Sequence, residues 1–132
     1  MQLEYNSERK HPQSIFYRGE VWNYYDMGLT RVVYTNEDKT KVVKFLIDEF
    51  GINHNRIEGD IYLNSNDKSE LAKTVLLEDG FVVEQEFVLP IKFSDKELTL
   101  KQIQFAGKCR DEVGWDSDGN LKCFDLSEYK QW

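Results

Sequence analysis

The sequence predicts an α+β domain: an antiparallel sheet of about five strands carrying one packed helix, followed by a short helix and a β-hairpin. Three observations lead there. Strand-forming runs of apolar and aromatic residues, separated by turn residues, occupy the stretch from Ile15 to Leu46 and again from Leu71 to Pro90. Between Asp48 and Asn64 the apolar period changes from two to about 3.6, which marks a helix. Eight Phe, seven Tyr and three Trp supply large core-forming side chains, whereas disordered chains are poor in aromatics.

The elements follow in order. Residues 1–12, MQLEYNSERKHP, are polar and form a loose lead-in. FYRGEVWNYYD and RVVYT read as two strands of a hairpin around Gly28, and NEDKT is a turn before a third strand, KVVKFL. In GINHNRIEGDIYLN, Ile57 and Ile61 lie four apart with His54 one turn earlier, and this stripe is the face expected to pack on the sheet. Asn53 is the expected N-cap, and Gly59 weakens the helix interior by about 1 kcal/mol relative to Ala. LAKTVLL, the turn EDG and FVVEQEFVLP make the next hairpin, closed by Pro90. Ser94 with Glu97 forms a capping box ahead of LTLKQIQFAGK, with Gly107 as a stop signal. VGWD, SDGN and LKCFDL form the last hairpin, turning at Asp118-Gly119.

One domain, 1–132, accommodates all of this: the lead-in 1–12, the sheet with its helix over 13–92, and the helix plus hairpin over 93–132. No apolar run approaches the roughly 20 residues of a membrane-spanning helix, and the N-terminus lacks the pattern of a signal peptide, so a cytoplasmic protein with no membrane partner is expected. Cys109 and Cys123 are too few for a disulfide scaffold and are not in CxxC spacing; a structural role follows from the burial habits of free Cys.

A formal charge of −7 disfavours direct nucleic-acid binding, which depends on Lys and Arg neutralising phosphates. It leaves open an acidic DNA mimic, although interleaving of acids with lysines in NEDKTK and SDKELTLK favours an ordinary solvated surface. DSDGN begins like an EF-hand loop, but Gly119 stands at position four and Ser127 at position twelve, so a turn is the better reading. His11 and His54 have no partner at metal-ligand spacing, and no local Ser/His/Asp or Cys/His set suggests a hydrolase.

Three strands, one helix and two further strands, with KVVKFL followed by Gly51, Asn55 and Glu58 in a G-x-x-x-N-x-x-E helix, resemble the N-lobe of protein kinases. The chain is similar over about residues 27–132 to small kinase-like proteins of bacteriophages and prokaryotes. The resemblance implies that Lys44 is the strand lysine that contacts nucleotide phosphates and that Glu58 is its helix partner. It also implies that Asp125, after GWDSDGNLKCF, stands at the metal-binding position of a vestigial nucleotide site. The departures are as informative. Only Gly28 remains of a Gly-rich loop, and no HRDxxxxN loop is present. Arg110-Asp111 offers Asp111 as a weak base, yet Asp116 stands where the catalytic Asn belongs. The expectation is therefore a non-catalytic kinase-like binding protein, phage- or mobile-element-encoded, that engages and modulates a host protein in the bacterial cytoplasm, with no cofactor or only weak Mg-ATP. The alternatives are a minimal ATP-binding phosphotransferase and an acidic DNA-mimic inhibitor.

Overall fold

The computed structural model describes residues 11–91, 99–109 and 112–126. These form an α+β fold with a six-stranded antiparallel sheet, two α-helices and a three-stranded antiparallel sheet. The large sheet contains β1 (Ser14–Tyr17), β2 (Glu20–Met27), β3 (Arg31–Asn36), β4 (Lys41–Leu46), β5 (Thr74–Leu77) and β6 (Val82–Glu86), in the order β1-β2-β3-β4-β6-β5. Helix α1 (Phe50–Asn64) connects β4 to β5. The small sheet is made of β7 (Leu89–Pro90), β8 (Val113–Trp115) and β9 (Leu121–Cys123), with α2 (Leu100–Lys108) preceding β8.

The sixth strand departs from the five expected. FYRGEVWNYYD is not one strand but two, because Arg18 (φ 51) and Gly19 (φ 82) both take left-handed conformations and place Tyr17 opposite Glu20. Two positive-φ residues in succession give the tight turn whose twist matches a hairpin, and Arg is an uncommon occupant of it. The new strand curls back over the sheet: the Tyr17 hydroxyl donates to Glu78 Oε2 at 2.8 Å, in the turn joining β5 to β6. Burial, together with this acceptor, pushes the Tyr17 phenol up to about 12. The end of the lead-in is also tied down, since Tyr34 Oη donates to the Pro12 carbonyl at 2.7 Å.

Register divides the large sheet into two working faces. Val32, Tyr34, Val43 and Val82 pack with Trp22 on one face, bordered by Tyr17, Tyr24 and Phe45. On the other, Val33 pairs with Lys44 and Lys44 with Val83, so the row beneath α1 carries a buried cation. A second core, Leu71, Ala106, Cys109, Val113, Cys123 and Leu126, joins α2 to the small sheet and receives Ile61 and Tyr62 from α1.

Helix α1 presents a different stripe from the one its isoleucines predict. Its buried residues are Gly51, Asn55 and Glu58, whereas Ile57 is 43% exposed. Of the expected stripe, Ile57 thus faces solvent while Ile61 packs on the second core. The helix also starts earlier than Asn53: the Asp48 carboxylate accepts from the Phe50 amide at 3.0 Å, and residue 49 has no side-chain cap. A Cβ at Gly51 would fall 2.6 Å from both Leu46 Cβ and the Thr30 carbonyl, so only Gly lets the helix start this close to the sheet.

At α2 the cap is Thr99, with Gln102 completing a capping box, and the helix continues through Gly107 to Lys108; Ser94 and Glu97 lie outside the described residues. The last hairpin also gains a strand, because Leu89 and Pro90 pair with Trp115 and Gly114. Cys109 and Cys123, expected as free thiols, are joined by a disulfide between the end of α2 and β9. Among the described residues no helix is long and apolar enough to cross a membrane.

DSDGN is a turn, with Gly119 at φ 84. Asp116 Oδ1 accepts from the amides of Asp118 and Asn120, both at 2.9 Å, and Oδ2 lies 3.2 Å from Lys122 Nζ. The Asn120 amide is foremost in holding the Asp116 carboxyl below the usual carboxylate range, with Lys122 and Asp118 assisting. A depressed folded value means that this stabilisation is present above the unfolded carboxylate value and is lost as pH falls through the lower folded one. Asp116→Ala is expected to cost about 1–2 kcal/mol at neutral pH and progressively less in acid. Thermal melts at about pH 7 and about pH 3 check it, and an equal loss at both would refute this account of the turn.

Candidate functional site

Arg31, Lys44, Glu58 and Asp125 come together beneath α1 from β3, β4, the helix itself and the segment after β9. Lys44 Nζ lies 3.1 Å from Glu58 Oε1 and 3.4 Å from Oε2, so the strand lysine and helix glutamate expected to pair do so. The same ammonium donates to the Phe124 carbonyl at 2.7 Å. Arg31 donates to Glu58 Oε2 at 2.7 Å and to Asn55 Oδ1 at 3.2 Å, and its guanidinium stands 3.6 Å from Asp125 Oδ1. Asn55 in turn donates to the Gly80 carbonyl at 2.8 Å, anchoring the β5–β6 turn to the helix. Each of Gly51, Asn55 and Glu58 therefore has a packing or bonding task on one stripe of α1.

Glu58 is fully buried and bridges two cations, an arrangement that tolerates burial only because every charge has an opposite neighbour. Burial draws the Lys44 ammonium below its ordinary value, the Glu58 carboxylate opposing this and Arg31 adding to it. Asp125 is the more accessible carboxylate of the group, its side chain 29% exposed against 0% for Glu58. Asp111 and Arg110 lie outside the described residues. No group of three or more His, Cys, Asp or Glu among the described residues is arranged to hold a metal ion.

The cluster lies at the wall of a cleft of about 510 Å³ between the β2–β3 turn, β6 and the small sheet. Val33, Val42, Phe87 and Val88 give it apolar walls. A bulge shifts the β2–β3 register between Tyr24 and Asp26, and the extra residue, Tyr25, lines the cleft and meets Phe87 edge-on with ring centroids 5.6 Å apart. His54 also lines the cleft, its Nδ1 2.7 Å from Thr30 Oγ1.

Sequence reasoning did not single out Arg31, Tyr25 or Gln85. A signal existed for two of them: Arg31 opens the apolar strand RVVYT, and Gln85 interrupts the apolar strand FVVEQ. Tyr25 gave none, because a bulge is a property of paired strands. No protein-family model, no curated protein and no solved structure matches this chain.

Proposed function

We propose that the chain is a non-catalytic kinase-like binding protein, encoded by a phage or mobile element, that engages and modulates a host protein. The observation that carries the non-catalytic part is the full engagement of Lys44. An ammonium has three N–H donors, and here they meet the two Glu58 oxygens and the Phe124 carbonyl. A lysine acting on a phosphate keeps a donor turned toward the ligand, and phosphoryl transfer further needs a positioned base and metal ligands. The kinase-like part is supported by the succession β2, β3, β4, α1, β5, β6, which has the order of three strands, helix and two strands, and by the Lys44–Glu58 pair. Engagement of a host protein rests on the sequence resemblance to phage and prokaryotic kinase-like proteins.

Incubation of the full chain with Mg and γ-labelled ATP tests it. The expected result is no label on the chain or on a generic protein substrate. Labelling abolished by Asp125→Asn would replace the proposal with an ATP-dependent phosphotransferase.

A further inference from the structure

We propose that the cleft beside Lys44 receives a planar, N–H-donating cation of the guanidinium class. The proposal rests on the non-catalytic reading of the same cleft and names what occupies it.

Gln85 provides the first observation. It is 1% exposed, lines the cleft, and stands in register between Val42 on β4 and Thr74 on β5. Its Nε2 donates to Thr74 Oγ1 at 2.9 Å, and Thr74 Oγ1 donates its own proton to the Ala72 carbonyl at 2.8 Å. Thr74 therefore has only a lone pair to offer Gln85, which fixes the amide orientation and leaves Gln85 Oε1 as the acceptor end. That oxygen has no hydrogen-bond partner, and among the described residues it is the one buried side-chain polar atom of which this is true. A buried acceptor without a donor is unfavourable, and a ligand N–H removes the deficit.

Charge provides the second. Among the described residues, the two strong cations lining the cleft, Arg31 and Lys44, are buried and held by Glu58. Among the described residues the carboxylates lining it, Asp26, Glu86, Glu112 and Asp125, are all more exposed than those cations; Glu86 is paired with Lys122 at 2.9 Å and Asp125 stands 3.6 Å from Arg31, while Asp26 lies on the exposed rim. An entering group thus meets the exposed Asp26 carboxylate before the buried cations, in a chain whose formal charge is already −7. Triphosphate is repelled by such a rim, whereas a cation is drawn in.

Shape and chemistry narrow the cation. Apolar walls with the Tyr25 and Phe87 rings suit a flat, weakly hydrated group that stacks on aromatics, and a guanidinium carries several N–H donors in one plane. Gln85 Oε1 is closed to solvent as it stands, so one donor meets it through a small side-chain shift at Gln85 while the charge remains near the rim. An ammonium is compact, strongly hydrated and less suited to these walls.

Titration of the ¹⁵N-labelled full chain, followed by amide chemical shifts, tests the inference with N-acetylarginine methylamide, its neutral citrulline counterpart and Mg-ATP as separate probes. The arginine compound is expected to shift the amides of Val42, Gln85 and Phe87, with citrulline and Mg-ATP at least about ten-fold weaker. Gln85→Leu is close in size; it loses the bond to Thr74 but also removes the unpaired acceptor, so it should change the melting temperature little and weaken arginine binding about ten-fold. Asp26→Asn, on the exposed rim, should weaken it at low salt and much less at high salt. Two sources of the guanidinium give different results, each consistent with the proposal: tighter binding of an arginine-bearing peptide than of the single residue assigns it to a protein partner, and equal binding assigns it to a free small guanidine. Equal affinity for arginine and citrulline, or no effect of Gln85→Leu, overturns the inference and leaves the non-catalytic reading standing. Mg-ATP binding with phosphate transfer overturns that reading itself.

Discussion

Glu58→Ala is expected to lower stability by about 3–5 kcal/mol, because it leaves Arg31 and Lys44 buried side by side without their common carboxylate. Against a total of about 5–15 kcal/mol for an ordinary domain, this removes a large share of the folded population at physiological temperature. The melting temperature should fall by roughly 10–20 °C. Glu58→Gln keeps the shape and one acceptor but not the charge, and should fall between Ala and the parent. Urea unfolding of the two variants and the parent measures the effect. A midpoint for Glu58→Ala indistinguishable from the parent's would mean that both cations escape to solvent and that the cluster is not the tie described. A triple replacement of Arg31, Lys44 and Glu58 by apolar residues of similar volume should recover most of the loss, since the cost lies in unmatched charge rather than missing volume.

Reduction of the Cys109–Cys123 disulfide is the second large effect. The sequence separation is 14, a loop whose closure is worth about 3 kcal/mol in the chain-entropy description. Both cysteines are fully buried in the core shared by Leu71, Val113 and Leu126. A reductant therefore reaches the bond through opening of that core. Cys123 immediately precedes Phe124, whose carbonyl holds Lys44, so loosening β9 also weakens the site. Melts with and without a reducing agent should differ by roughly 10 °C, and the double replacement of both cysteines by Ala should melt near the reduced protein and ignore the reductant. A reductant-insensitive melt of the parent would show that the bond contributes nothing. The bond also sets a condition on the cytoplasm expected from the sequence, where thiol pools keep most cysteine pairs reduced and only burial would protect this one.

What was legible in the sequence is what is encoded locally. The SDGN turn was legible because Gly119 takes φ 84 at little cost, and the β2–β3, β5–β6 and β8–β9 hairpins follow from alternation broken by turn residues. Lys44 and Glu58 were legible because the strand and helix around them resemble the kinase pattern, and the fold brings the two into contact. The illegible parts depend on partners far away. Hydrophobicity pointed to Ile57 and Ile61 as the inner face of α1; Ile61 does pack on the second core, but Ile57 is exposed, and the fully buried stripe is Gly51, Asn55 and Glu58, which becomes an inner face only because Arg31 and Lys44 stand opposite. The disulfide needed α2 and β9 to be adjacent, and β7 needed β8 alongside two residues that look like the end of the preceding strand. Arg18 gave little warning of the first hairpin, because propensity argues against Arg at positive φ.

The bond from Lys44 to Phe124 has a consequence for how this protein can change over evolutionary time. Its acceptor is a main-chain carbonyl, present whatever residue occupies position 124, so no point substitution there deletes it. Freeing the donor held by that carbonyl requires the chain after β9 to take a different course, through insertion, deletion or a redirected turn. Side-chain drift at position 58 can release the two donors that Glu58 holds, but it leaves the main-chain oxygen in reach and the third donor committed.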